Sequence, residues 1–296
     1  MINKKSKIGI IGTGIIGLPM AKNILKNKYN VLSYVRDVKK HNTVKKSGIK
    51  IIDDISEFFG QIDVLILAVS ETKDVKKILL GPKGLIKNKI KPSIVIDMST
   101  ICPIDTIEFS KTLKKHKVFL IDAPVSGGEI GAIKGTLSIM MGGEVKTIRK
   151  IMPILKVIGE KITHVGKSGS GQVAKACNQI VVAQTVNAIS EAFIISDKFN
   201  INKNKVREAL LGGFANSTAL EIHGERILKS NYKPGFKTKL HAKDLRIAKD
   251  VVVKKNLKLD GVNLVNKYMN KCNKNGNSEK DSSSYYLTIK EENKWE

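Results

Sequence analysis

Short apolar runs rich in Ile, Val and Leu alternate with stretches of helical period through the first half of the chain, the pattern of parallel βαβ units. Ile8 to Ile11, Val31 to Val35, Val64 to Val69, Ile94 to Asp97, Val118 to Ile121, Leu137 to Met141 and Ile162 to Val165 read as strands. Several are apolar at every position, as strands covered on both faces should be. After Gly166 the texture changes. Lys167-Ser168-Gly169-Ser170-Gly171 is a flexible stretch, and from Gln172 onward the apolar positions keep a helical period without strand-like runs.

Val173, Cys177, Ile180 and Val181, continued by Val186, Ile189 and Phe193, predict one long helix that opens an all-helical region. Further helices are expected over about Lys203 to Leu211, Ser217 to Leu228, Leu240 to Lys255 and Val262 to Cys272. Asn273 to Ser284 is polar and rich in Gly, Asn and Ser, and reads as a loop or a frayed end. The boundary falls near residue 165, giving domains over residues 1–165 and 166–296.

The first apolar run leads into Gly12-Thr13-Gly14-Ile15-Ile16-Gly17, which fits G-x-G-x-x-G between a strand and a helical pattern through Met20, Ile24 and Leu25. The first glycine permits a tight turn, the second lets the backbone approach a pyrophosphate, and the third allows close helix-to-strand packing. The helix N-terminus then offers free N–H groups to phosphate. The expected fold class is therefore α/β, with an N-terminal Rossmann dinucleotide-binding domain and an all-α C-terminal domain. The same glycines argue against a signal peptide, although Lys4, Lys5 and Lys7 precede the apolar run Ile8 to Ala21. At the end of the second strand, where an acid would hold the ribose hydroxyls of NAD, Val35 is followed by Arg36, which could pair with a 2′-phosphate. NAD or NADP is the expected cofactor, with NADP preferred; Asp37, one residue on, keeps the NAD alternative open.

Length and composition agree with two folded domains: 296 residues, 42% hydrophobic and 27% charged. The formal charge of +25 suggests nucleic acid or an anionic surface when taken alone. Yet only Arg36, Arg149, Arg207, Arg226 and Arg246 are arginines, and the lysines are spread along the whole chain. A solvated basic surface is the better reading, with no specific nucleic-acid partner. Cys102, Cys177 and Cys272 form no CxxC pair and suit a reducing, cytoplasmic setting. The five histidines show no metal-ligand spacing, so no metal is expected. No uncharged apolar stretch reaches the ~18 residues of a membrane span.

Two later segments carry candidate chemistry. In Asp122-Ala123-Pro124-Val125-Ser126-Gly127-Gly128, a serine and two glycines after a strand can present a hydroxyl and consecutive N–H groups to a carboxylate; an ordinary tight turn is the alternative. In Gly171-Gln172-Val173-Ala174-Lys175-Ala176-Cys177-Asn178-Gln179, Lys175, Asn178 and Gln179 share one helical face. Gly171, one turn earlier, is expected to leave room for a ligand, and Cys177, about 200° around the helix from Lys175, reads as core.

Together the fingerprint Gly12 to Gly17, the loop Asp122 to Gly128, the stretch Gly171 to Gln179 and Lys243-Asp244 resemble the β-hydroxyacid dehydrogenases, from Ile8 to about Ser284. That group contains 3-hydroxyisobutyrate dehydrogenase, tartronate semialdehyde (2-hydroxy-3-oxopropionate) reductase and, more distantly, 6-phosphogluconate dehydrogenase. The resemblance implies hydride exchange between a nicotinamide and a small carboxylate substrate, with Lys175 as general acid/base and Asn178 orienting the reacting oxygen. It also implies that Ser126, Gly127 and Gly128 hold the substrate carboxylate, that Thr100 and Lys243 serve the cofactor, and that the helical domain supports dimers or tetramers. Val69-Ser70-Glu71 replaces the family's Leu-Pro-Asn turn at another cofactor contact, and Leu257-Lys258-Leu259-Asp260 replaces a Leu-Pro-Leu-Pro type segment. Asp122 to Gly143, Gly212 to Thr218 and Lys233 to Phe236 resemble the tartronate semialdehyde reductase branch, with 3-hydroxyisobutyrate dehydrogenase as the alternative. A non-catalytic nucleotide- or nucleic-acid-associated protein is the reading from a different class.

Overall fold

The computed structural model describes residues 2–293. The chain divides into two compact units, Met1–Lys175 and Ala176–Glu296.

The first unit is built on a nine-stranded sheet. Its strands are β1 (Lys7–Ile11), β2 (Asn30–Tyr34), β3 (Lys50–Ile51), β4 (Val64–Leu67), β5 (Ile94–Asp97), β6 (Phe119–Asp122), β7 (Val125–Ser126), β8 (Leu137–Gly142) and β9 (Gly159–Gly166). The first six lie parallel in the order β3-β2-β1-β4-β5-β6, the doubly wound Rossmann arrangement. Beyond β6 the direction reverses: β8 pairs antiparallel with β6 and β7, and β9 runs parallel to β8. Period-two alternation sends the apolar positions of the inner strands to both faces of the sheet, so neither face is left polar along its middle. Ile8, Ile10, Val64, Ile66, Ile94 and Ile96 enter one core, while Ile11, Leu65, Leu67 and Val95 enter the core on the opposite face.

Strand order reverses at β1, between β2 and β4, which is where this architecture opens a ligand crevice at the carboxyl ends of its strands. The fingerprint follows β1, Val69 follows β4, Thr100 follows β5 and the Ser-Gly-Gly loop follows β6. All seven expected strands are present. The two-residue β3 and β7 are too short to leave a periodic trace in the sequence.

The helix Ser170–Lys198 begins in the first unit and continues into the second. By length and composition alone it could cross a membrane, but half of its most apolar window is buried. Its buried positions also include the polar Gln172, Lys175, Gln179, Asn187 and Ser190, as befits a core helix. Cys177 corrects the expectation of a core thiol: Lys175, Ala176 and Gln179 take the buried face, and Val173, Cys177 and Val181 point outward.

The second unit is helical, with helices Lys203–Leu211, Glu225–Leu228, Thr238–Lys254, Asp260–Cys272 and Tyr285–Glu292, and a π-helical turn at Leu220–Gly224. Ala183, Val186, Phe193, Leu245, Val265, Met269 and Tyr285 form its core. Asn273 to Ser284 is the loop that its polarity allows, but it is packed into the protein and is no frayed end. Asn277, Asp281, Ser282, Ser283 and Ser284 are buried, and the segment includes turns at Asn273–Asn277 and Ser282–Ser284. Asp281 is the reason. Its carboxylate accepts from the N–H groups of Gly235 and Phe236 and from the N–H and hydroxyl of Ser283, so the polarity is satisfied inside the protein rather than by water.

Candidate active site

The fingerprint loop has the geometry that its glycines predict. Gly12 has φ +102°, and a Cβ there would lie 2.3 Å from the Ala68 carbonyl oxygen. A Cβ on Gly17 would lie within 1.9 Å of the Gly12 carbonyl, so helix Gly17–Lys26 starts hard against the turn. At Gly14 a Cβ would meet nothing within 4 Å. Thr13 is buried, Ile16 is half-buried, and Gly14 and Ile15 are exposed. This cradle, closed behind and open in front, fits a dinucleotide pyrophosphate.

After β2, Val35 is buried and its carbonyl bonds His41 Nε2 at 2.9 Å. Arg36 extends into solvent, with Nη1 3.8 Å from Asp74 Oδ1. The Asp37 carboxylate instead accepts from the Lys39 N–H at 3.1 Å, capping the short turn Val38–Lys40.

The loops after β4 and β5 are tied together. The Val69 N–H donates to Ser99 Oγ at 3.0 Å, and the Ser99 N–H donates to Asp97 Oδ1 at 3.0 Å. Thr100, half-buried, follows directly. Sequence reasoning overlooked Gln172, whose side chain donates to the Ser99 carbonyl at 2.8 Å and accepts from the Ile101 N–H at 3.1 Å. An amide near the start of a helix gives no sign in the sequence of the backbone it will meet.

After β6, the buried Asp122 carboxylate accepts from the N–H groups of Gly169 at 2.8 Å and Gln172 at 3.1 Å. Burial raises its pKa, and these backbone donors oppose that shift. Gly171 is where the expectation of room for a ligand fails. A Cβ there would lie 2.4 Å from the Met140 carbonyl and 2.9 Å from Asp122, so the glycine lets the helix close on the sheet. Ser126 is half-buried on β7, and Gly127 and Gly128 both have positive φ, +126° and +61°. Lys175 follows Gln172 by three residues and is 6% exposed.

In the second unit, half-buried Asn178 donates to Gln179 Oε1 at 2.8 Å, and Gln179 Nε2 donates to Asp244 Oδ2 at 2.7 Å. Lys243 Nζ lies 2.7 Å from Asp244 Oδ1, and both side chains are buried. Among the described residues, no group of three or more His, Cys, Asp or Glu is arranged to hold a metal. A cavity bounded by Lys111, Lys114, Phe119, Glu144 and His164 contains none of the candidate residues.

Two family models match consecutively. Residues 7–166 match the NAD binding domain of 6-phosphogluconate dehydrogenase, and residues 169–289 match the NAD-binding domain of NADP-dependent 3-hydroxyisobutyrate dehydrogenase. The chain belongs to the β-hydroxyacid dehydrogenase family. This dehydrogenase is 37% identical to 2-hydroxy-3-oxopropionate reductase of Escherichia coli, over 94% of this chain and 95% of that protein. It is 35% identical to probable 3-hydroxyisobutyrate dehydrogenase-like 1 of Arabidopsis thaliana, over 88% of this chain and 78% of that one. Its fold matches Mycobacterium tuberculosis 3-hydroxyisobutyrate dehydrogenase, solved with L-serine, at TM-score 0.89 and 27% identity, covering 96% of this chain and 99% of that one. The dehydrogenase is thus an NAD(P)-dependent enzyme, and the non-catalytic alternative falls away.

Proposed function

We propose that this enzyme interconverts a small semialdehyde acid and the corresponding hydroxy acid, with 2-hydroxy-3-oxopropionate as its first substrate and 3-hydroxyisobutyrate as the second choice. The observation that carries the reading is Lys175, a buried lysine on a helix whose first turn is pinned to the ends of β5 and β6. The similarity to 2-hydroxy-3-oxopropionate reductase supports the choice of substrate.

When bound, the nicotinamide supplies or accepts the hydride. Gly12, Thr13, Gly14, Ile15, Ile16 and Gly17 hold the pyrophosphate, with Val69, Thr100 and Lys243 as further cofactor contacts. Ser126, Gly127 and Gly128 take the substrate carboxylate. Lys175 donates a proton to the developing alkoxide in reduction and removes the hydroxyl proton in oxidation, while Asn178 orients that oxygen. NADP is preferred, because Arg36, exposed and held by a 3.8 Å contact with Asp74, can turn onto a 2′-phosphate while Asp37 is occupied in capping.

We place the division between a Rossmann domain and a helical domain at residues 165 and 166, at the last residue of the strand Gly159–Gly166 and ahead of the helix that begins at Ser170, ten residues before the end of the first compact unit at Lys175. Val173, Val181 and Ile195, exposed along one apolar helix, suit a homo-oligomer contact. Three free cysteines suit the cytoplasm. The test is Lys175→Ala. Turnover of semialdehyde acids should fall by roughly 100-fold or more, while cofactor binding stays nearly intact; near-normal turnover removes Lys175 from this role.

A further inference from the structure

Two sets of hydrogen bonds converge at the start of the Lys175 helix, and both pass through Gln172. Its backbone N–H is taken by Asp122 at the end of β6. Its side chain, 1% exposed, reaches to the loop after β5, where Nε2 donates to the Ser99 carbonyl and Oε1 accepts from the Ile101 N–H. One amide therefore holds both peptide groups that flank Thr100. The pairing fixes the amide's orientation, since the carbonyl needs a donor and the N–H an acceptor. Ser99, held at its carbonyl by Gln172, uses its hydroxyl to hold Val69. The loops after β4 and β5 are thus fastened to the helix one turn before Lys175.

We infer that Gln172 is a positioning residue for hydride transfer. It fixes the cofactor-side backbone at Thr100 against the helix that carries the acid/base Lys175, so that the two reacting partners are held in register. The inference rests on the proposed roles of Thr100 and Lys175. Its physical basis is the steep dependence of a transfer step on geometry, in which a displacement of about 1 Å costs on the order of 100-fold. A glutamine that only satisfied buried backbone would affect folding and leave the transfer step alone.

The experiment compares wild type with Gln172→Met, similar in size but unable to make either bond, and with Gln172→Glu, which keeps the acceptor for Ile101 and loses the donor for Ser99. Three quantities are measured: cofactor Kd without substrate, kcat, and the isotope effect with cofactor deuterated at the transferred position. For Gln172→Met, kcat should fall about 10- to 100-fold. Cofactor Kd should rise roughly 2- to 10-fold, the range for one or two lost hydrogen bonds. The isotope effect should rise towards its full value as hydride transfer becomes limiting, with substrate KM within about twofold. Gln172→Glu should fall between the two. A lowered melting temperature with unchanged Kd and isotope effect overturns the inference. If wild type turns over none of the semialdehyde acids, the substrate reading fails while the Kd comparison still decides whether Gln172 holds the cofactor loop.

Discussion

Gln179 and Asp244 are joined side chain to side chain, with the Gln179 amide donating to Asp244 Oδ2 at 2.7 Å. The other oxygen of the same carboxylate lies 2.7 Å from Lys243 Nζ. The bond links the helix that carries Asn178 to the helix Thr238–Lys254, and Asp244 is 3% exposed.

That geometry sets the first prediction. Asp244→Ala takes the carboxylate from a buried ammonium and an acceptor from a buried amide, a change that costs about 3–5 kcal/mol. Asp244→Asn keeps an acceptor for Gln179 and should cost less. Urea unfolding of the intact chain measures both. Equal midpoints for Asp244→Ala and wild type would mean that the pair contributes nothing to the fold.

Asp281 yields a dependence on pH. Burial alone would raise its pKa, but the His223 ring 3.6 Å away and the hydrogen bonds from the Phe236 N–H and Ser283 outweigh it and hold the carboxyl well below the usual carboxylate range. A depressed folded-state pKa means that the stabilisation is fully present above the unfolded value of about 3.9 and is lost as the pH falls below it. Wild type should therefore lose stability steeply below about pH 4. Asp281→Asn, already less stable at neutral pH, should show a shallower fall over the same window. Parallel acid-titration curves for the two proteins would rule Asp281 out as the source.

The strands and the fingerprint were legible because they are local. Apolar runs at β1, β4 and β5 and three glycines at fixed spacing state their own geometry. For Asn273 to Ser284 the composition reveals a loop but not its burial, because polarity does not say where the partners lie; Asp281 finds Gly235 and Phe236 more than forty residues earlier in the chain. Gln172 is a similar case, since its meaning depends on Ser99 and Ile101, about seventy residues away. Gly171 and Cys177 show a narrower limit: helical period groups residues by face, but it does not say which neighbour each face meets.

Cofactor choice turns on Arg36. If it pairs with the 2′-phosphate, Arg36→Ala should weaken NADPH by about 10- to 100-fold, the worth of charge-assisted hydrogen bonds, and NADH by much less. Asp74→Ala, which removes the competing carboxylate 3.8 Å away, should leave NADPH binding intact or improve it. Titration of each variant with both cofactors checks the assignment, and equal losses on NADH and NADPH for Arg36→Ala would reduce Arg36 to a surface residue.

The last prediction concerns the substrate's charge. Gly127 and Gly128 follow Ser126 with φ values of +126° and +61°, so successive N–H groups there can point towards one anion, as in a backbone nest. A carboxylate seated there would anchor one end of a small acid and leave its reacting carbon to be placed elsewhere in the site, which is what orientation requires. A neutral molecule of equal size cannot use those donors, so wild type should reduce a semialdehyde acid about 10- to 100-fold more efficiently than its methyl ester, judged by kcat/KM. Ser126→Ala should narrow that preference by removing a hydroxyl. Gly128→Ala should narrow it further, because an L-residue held at positive φ costs about 1–2 kcal/mol and relaxes the loop away from the nest. Efficient reduction of the ester by wild type, or an acid-to-ester ratio that survives both substitutions, would take the carboxylate off this loop and leave the small-acid substrate without its anchor.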